Sequence, residues 1–117
     1  MPDAPQAPID DRTLSELLES TGGDREFLAE LLATFTDDAT RQIAAMRDAA
    51  AGGEPDGVTR AAHALKGASA SVGAAGLSEQ ARVLELDARA GRLDGAAAQI
   101  EEMALELERV AAALRDA

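Results

Sequence analysis

The stretch AAHALKGASASVG, residues 61–73, holds the chain's single histidine, His63, with Arg60 three residues before it, Lys66 three after and Gly67 four after. On a helix these spacings put the residues on one face, a turn apart. A neutral imidazole nitrogen is a nucleophile, and a neighbouring ammonium offsets the charge of a transferred phosphoryl group. A glycine on the same face leaves the approach open. The trio suits transfer of a phosphoryl group to histidine. Two plainer readings stand beside it: a hydrogen-bonded core histidine, and a solvent-facing one without a role. The helical wheel speaks against the first. Val58, Leu65 and Val72 fall at roughly 180–220° from His63, so the core side is opposite. Ser69, at roughly 240°, is expected on the core flank, bonded to a backbone carbonyl. Against the second stands Gly67, which costs a helix interior roughly 1 kcal/mol relative to alanine.

The elements that must position this face follow from composition. The chain has 117 residues, 46% of them hydrophobic and only 2% aromatic, Phe27 and Phe35. That length suits one domain. Alanine and leucine dominate the apolar set, and both favour helix. There is no cysteine, which excludes disulfides and thiolate chemistry, and a lone histidine makes a zinc site unexpected. The net charge of −11 repels nucleic acid and anionic lipid at long range, so neither nucleic acid nor a membrane is an expected partner. The opening MPDAPQAPIDD has no basic or apolar signal region, and no apolar run is long enough to span a bilayer. The expectation is a cytoplasmic protein.

Residues 1–8 carry three of the four prolines and read as a disordered tail, with one domain over 9–117. Ile9 to Ser20 reads as a short helix ended by Gly22-Gly23. Asp24 is the expected N-cap of a long helix striped by Phe27, Leu28, Leu31, Leu32, Phe35, Ala39, Ile43 and Met46. Pro55 fits the first turn of a third helix running to about Val72. Gly73 and Gly76 are expected to bracket a turn. A fourth helix follows over Leu77, Ala81, Leu84 and Ala88, ended by Gly91. Leu93 or Asp94 opens a fifth, striped by Ile100, Met103, Leu107, Val110 and Leu114. The fold class is all-α: an up-down-up-down antiparallel four-helix bundle with a short extra N-terminal helix.

His63-Ala64-Leu65-Lys66-Gly67-Ala68-Ser69, followed by Gly73-Ala74, Leu77 and Leu84-Glu85, resembles the histidine-containing phosphotransfer (HPt) domain family and its H-x-L-K-G-x-S motif. The similarity runs from about Ile9 to Leu114. It implies that His63 is the phosphorylated residue, that Lys66 contacts the phosphoryl group and that Gly67 leaves room for the partner. It implies that Glu85 accepts a hydrogen bond from the histidine ring, leaving Nε2 free to attack. Arg89 and Arg60 are further candidates for phosphoryl contact, each equally readable as a surface charge. Ala68 stands where many relatives have serine. Relatives dock partners through apolar residues of the first two helices, which points to Leu14, Leu17, Leu28 and Leu31, with Ala70 beside the motif. Core packing is the plainer reading of each leucine.

The implied partners are response-regulator receiver domains and a sensor or hybrid histidine kinase. The receiver supplies the aspartate and Mg²⁺, so the chain needs no cofactor or metal of its own. With no G-x-x-x-x-G-K-[ST] loop and no glycine-rich ATP lid, autokinase activity is not expected. The protein reads as a phosphoryl carrier rather than an enzyme, and as a monomer. Two other readings remain: the excised phospho-acceptor domain of a chemotaxis-type kinase, against which Met1 and the tail suggest a stand-alone protein, and a non-catalytic helical adaptor using the His63 face.

Overall fold

The computed structural model describes residues 8–115; the proposed tail lies outside them except for Pro8. Five helices and no strand occur among the described residues: α1 (Asp11–Ser20), α2 (Arg25–Ala51), α3 (Pro55–Ser71), α4 (Ala75–Arg89) and α5 (Ala96–Arg115). Local chemistry sets most of the boundaries. The Asp10 side chain accepts from Arg12 N, and Asp24 accepts from Phe27 N at 3.0 Å, so each caps orphan amides at a helix start. Pro55 occupies the first turn of α3, where its missing N–H costs nothing.

Three boundaries differ from the sequence reading. The first helix starts at Asp11 rather than Ile9, because Asp10 is extended and caps it. Gly76 lies inside the first turn of α4, because the chain reverses over Val72–Ala74 with Gly73 at a φ of +79°. The start of α5 is Ala96 rather than Leu93 or Asp94. Ala96 N donates to the Leu93 carbonyl, closing a turn ahead of the helix, while Leu93 packs against the core.

The core is one cluster. Met46 of α2, Val58 and Leu65 of α3, Leu77 and Leu84 of α4, and Ile100, Met103 and Val110 of α5 are its largest fully buried apolar side chains. Ala39, Ala62, Ala81, Ala88 and Ala96 are buried between them. Small side chains at these positions let helix backbones approach closely, so a chain poor in aromatics still fills its interior. The helices close a ring of contacts: α2 against α3, α3 against α4, α4 against α5, and α5 back against α2. No described helix is long and apolar enough to cross a membrane.

The short α1 is held at its start. Ile9 is buried in the core, Asp10 N donates to the Gly73 carbonyl at 2.9 Å, and Thr13 packs against Gly73. A Cβ on Gly73 would lie 2.8 Å from the Thr13 Cβ, so glycine is required there by space as well as by backbone angle. This contact ties α1 to the α3–α4 turn, beside the face that carries His63.

Two side chains depart from expectation, one in its burial and one in its bonding. Phe27 is 48% exposed, because the first turn of α2 lies beyond the reach of the core, whose α2 contribution begins at Leu32 and Phe35. Ser69 is fully buried, as the wheel implies, but its hydroxyl finds no backbone carbonyl and has no hydrogen-bond partner.

Candidate phosphoryl-transfer site

His63 projects from the middle of α3 with its side chain 66% exposed. One residue of the facing helix reaches it. The Glu85 side chain, 3% exposed, lies between α3 and α4 and accepts from three side chains. Its Oε2 is 2.8 Å from His63 Nδ1 and 2.7 Å from an Arg89 guanidinium nitrogen; its Oε1 is 2.8 Å from Lys66 Nζ. A buried carboxylate is tolerable only with its lone pairs engaged, and here they are.

The electrostatics decide the tautomer. Burial pushes the Glu85 carboxyl up, but hydrogen bonds from Lys66 and His63, reinforced by their charges, outweigh it and hold the carboxyl below its ordinary value. An ionised carboxylate only accepts, so the proton in this contact belongs to Nδ1. In the neutral ring that leaves the lone pair on Nε2. The nucleophilic atom of an exposed ring is thus selected by a buried acceptor on the neighbouring helix.

The surroundings leave that atom accessible. Gly67 is one turn along the same helix, and a Cβ added there would meet nothing within 4 Å. No packing within the protein demands glycine at this position. Lys66 is half-buried, with its ammonium directed to Glu85. The arrangement offers one oriented nucleophile, two cations within reach of a common carboxylate, and an open approach.

The structure therefore brings His63, Lys66, Glu85 and Arg89 into one cluster. Arg60 stays outside it, lining a shallow hollow at the start of α3 with Glu54, Pro55, Asp56 and Gly57. Leu14 is half-buried against the core, as core packing would have it. Leu17 and Leu28 are half-buried, and Leu31 is 43% exposed. Ala70 is exposed and borders a hollow of about 280 Å³ with Asp10, Thr13, Lys66, Gly73 and Ser78, between α1 and the motif.

One contact at this face was absent from the sequence reading. The Ser78 hydroxyl of α4 donates to the Lys66 backbone carbonyl of α3 at 2.9 Å. Ser78 precedes Glu85 by seven residues, about two helical turns, so both share one stripe of α4. That spacing is the signal that could have found it.

The family model described as "Hpt domain" matches residues 30–113. Among solved structures, the chain is similar to histidine-containing phosphotransfer protein B (HptB) from Pseudomonas aeruginosa PAO1, with 32% sequence identity and a TM-score of 0.87, over 97% of this chain and 95% of that one. No curated protein sequence matches.

Proposed function

Since the chain belongs to the Hpt domain family, and is a histidine phosphotransfer protein of the kind that works in phosphorelays, we propose that His63 is the residue that carries its phosphoryl group. The observation that supports this most directly is the 2.8 Å contact between Nδ1 of the exposed His63 and the buried Glu85 carboxylate. With Nδ1 so engaged, Nε2 keeps the lone pair of a ring that is 66% exposed.

The donor is the phospho-aspartate of a receiver domain. The Nε2 lone pair forms a bond to phosphorus as the bond from phosphorus to the aspartate oxygen breaks, and the aspartate leaves as a carboxylate. The product is a phosphoramidate, which keeps enough transfer potential to pass the group to another receiver. Mg²⁺ belongs to the receiver. This chain's own share is positional: Glu85 holds the ring, Lys66 and Arg89 offset the charge on the incoming group, and Gly67 leaves space for the partner. Apolar residues of α1 and α2, Leu17, Leu28 and Leu31 among them, extend the docking face, with Leu14 supporting it from below and Ala70 at its edge.

On this reading the chain is a carrier rather than a kinase, upstream of which a sensor or hybrid kinase loads a receiver in the cytoplasm. Its ring of helices, joined by short connections, fits an alternating up-and-down order within one domain over 9–117. A core that closes on itself fits a monomer.

Intact-mass measurement after incubation with a phosphorylated receiver tests the assignment. One acid-labile phosphoryl adduct is expected in the protein and none in His63→Gln. An adduct that persists in His63→Gln places the group elsewhere.

A further inference from the structure

Lys66 is held at both ends. Its ammonium meets Glu85 Oε1 at 2.8 Å, and its backbone carbonyl accepts from the Ser78 hydroxyl at 2.9 Å. Both partners lie on α4 and both grips cross the α3–α4 interface. Ser78 and Glu85 stand about 10 Å apart along the helix at nearly the same angle. Apolar packing of Leu77, Ala81 and Leu84 seats α4 on α3, and the polar grip at Glu85 adds one directional anchor to it. A second anchor, two turns away, restricts the small rotations and slips that non-directional apolar contact tolerates.

This matters because Glu85 acts by position. Its carboxylate must stay within hydrogen-bond distance of His63 Nδ1, and an ångström of slip lengthens a 2.8 Å contact beyond useful range. Glu85 itself is buried, but two of its three partners, His63 and Arg89, are side chains about two-thirds exposed. The Ser78 grip is different. It is part-buried, and its acceptor is backbone, which cannot change rotamer. Ser78 also sits close to the α3–α4 turn, where Gly73 and Thr13 anchor α1.

We propose that Ser78 is a positioning residue for the phosphoryl-transfer site: its hydroxyl, bound to the Lys66 carbonyl, tightens the register that core packing gives α4 on α3 and thereby keeps Glu85 against Nδ1 of His63. The inference rests on the reading of His63 as the acceptor. Ser78 touches neither the ring nor the incoming group; it acts through Glu85 and through the backbone of Lys66.

The test uses the full chain with phosphoramidate as the donor, so that no receiver contact enters. Two quantities are read: the rate of adduct formation by intact mass, and the ¹⁵N chemical shifts of the His63 ring, which report its tautomer. In Ser78→Ala, adduct formation is expected to slow about fivefold, the equivalent of one ordinary hydrogen bond. The ring shifts are expected to move toward tautomer averaging. Ser78→Thr, which keeps a hydroxyl, is expected to restore both. Ser78→Cys, similar in size but a weak donor, is expected to behave as Ser78→Ala and serves if the alanine variant fails to fold. Unchanged rate and unchanged ring shifts in Ser78→Ala or Ser78→Cys, even with a lowered melting temperature, overturn the inference while leaving the function intact. A wild-type chain that takes no phosphoryl group from either phosphoramidate or a receiver ends both.

Discussion

His63 and Glu85 face each other across α3 and α4 at 2.8 Å, one 66% exposed and the other 3%. The group that must meet a partner stands in solvent, and the group that orients it is held inside. The two therefore respond differently to substitution. His63→Gln is expected to lose phosphorylation but keep the fold, at a cost of about 1 kcal/mol, because the exposed ring donates one hydrogen bond to Glu85, which retains Lys66 and Arg89. Calorimetry beside intact mass checks this; substantial melting of the variant would make His63 a structural residue.

Glu85 carries a pH dependence. Burial raises its pKa, and the hydrogen bonds and charges of Lys66 and His63 lower it by more, so the folded value lies below the ordinary 4.5. The stabilisation from this pairing is complete above the ordinary value and is lost as pH falls through the folded one. The stability gap between wild type and Glu85→Gln is expected to narrow on acidification from neutral pH to below that range. Urea unfolding at a series of pH values measures it, and a gap independent of pH contradicts an ionised Glu85.

Gly67 separates folding from docking. With nothing within 4 Å of its would-be Cβ, Gly67→Ala is expected to stabilise α3 by about 1 kcal/mol, the helix-propensity difference. The same methyl stands in the approach to His63. Transfer from a receiver is expected to slow, with the rate from phosphoramidate nearly unchanged. Equal rates from the receiver in both proteins would remove Gly67 from the docking face.

Ser69 offers a stabilising change. Its fully buried hydroxyl has no partner, and an unsatisfied polar group of this kind costs about 1–3 kcal/mol. Ser69→Ala is expected to raise the melting temperature without altering transfer. A fall would mean that the hydroxyl is satisfied in solution.

Phe27 and Leu31, 48% and 43% exposed, leave apolar area in water near the start of α2. If that area meets a receiver, the double change Phe27→Ala and Leu31→Ala weakens receiver transfer several-fold and barely moves stability. The check is transfer rate against receiver concentration: a raised half-saturation point with the same limiting rate is expected, and an unchanged curve excludes this part of α2 from docking.

Helix identity, most boundaries and the outward direction of His63 were legible in the sequence, because they follow from local rules. Apolar spacing of three and four, the Asp24 cap, Pro55 at a first turn and glycines after helix ends each act within a few residues. The resemblance carried by residues 63–69 implied roles for Lys66 and Gly67, and the match at Leu84-Glu85 implied one for Glu85. The wheel that set His63 opposite Val58 and Leu65 needed only the helical repeat, and both those residues are fully buried.

What the tertiary structure alone decided is which charges meet. Arg60 and Arg89 looked alike as candidate cations, yet only Arg89 reaches the shared carboxylate. Phe27 continued the apolar stripe of α2, but its helix turn extends past the core, so the stripe runs out into solvent. Ser69 reached the interior without the carbonyl expected for it, and Ser78, an ordinary residue by local rules, bonds a carbonyl on another helix. Each outcome depends on the relative rotation and register of two helices. That is set by packing of side chains far apart in the chain, which no local period encodes. The sequence determined five helices and the face on which His63 stands; the closure of α3 on α4 placed Glu85 beneath it.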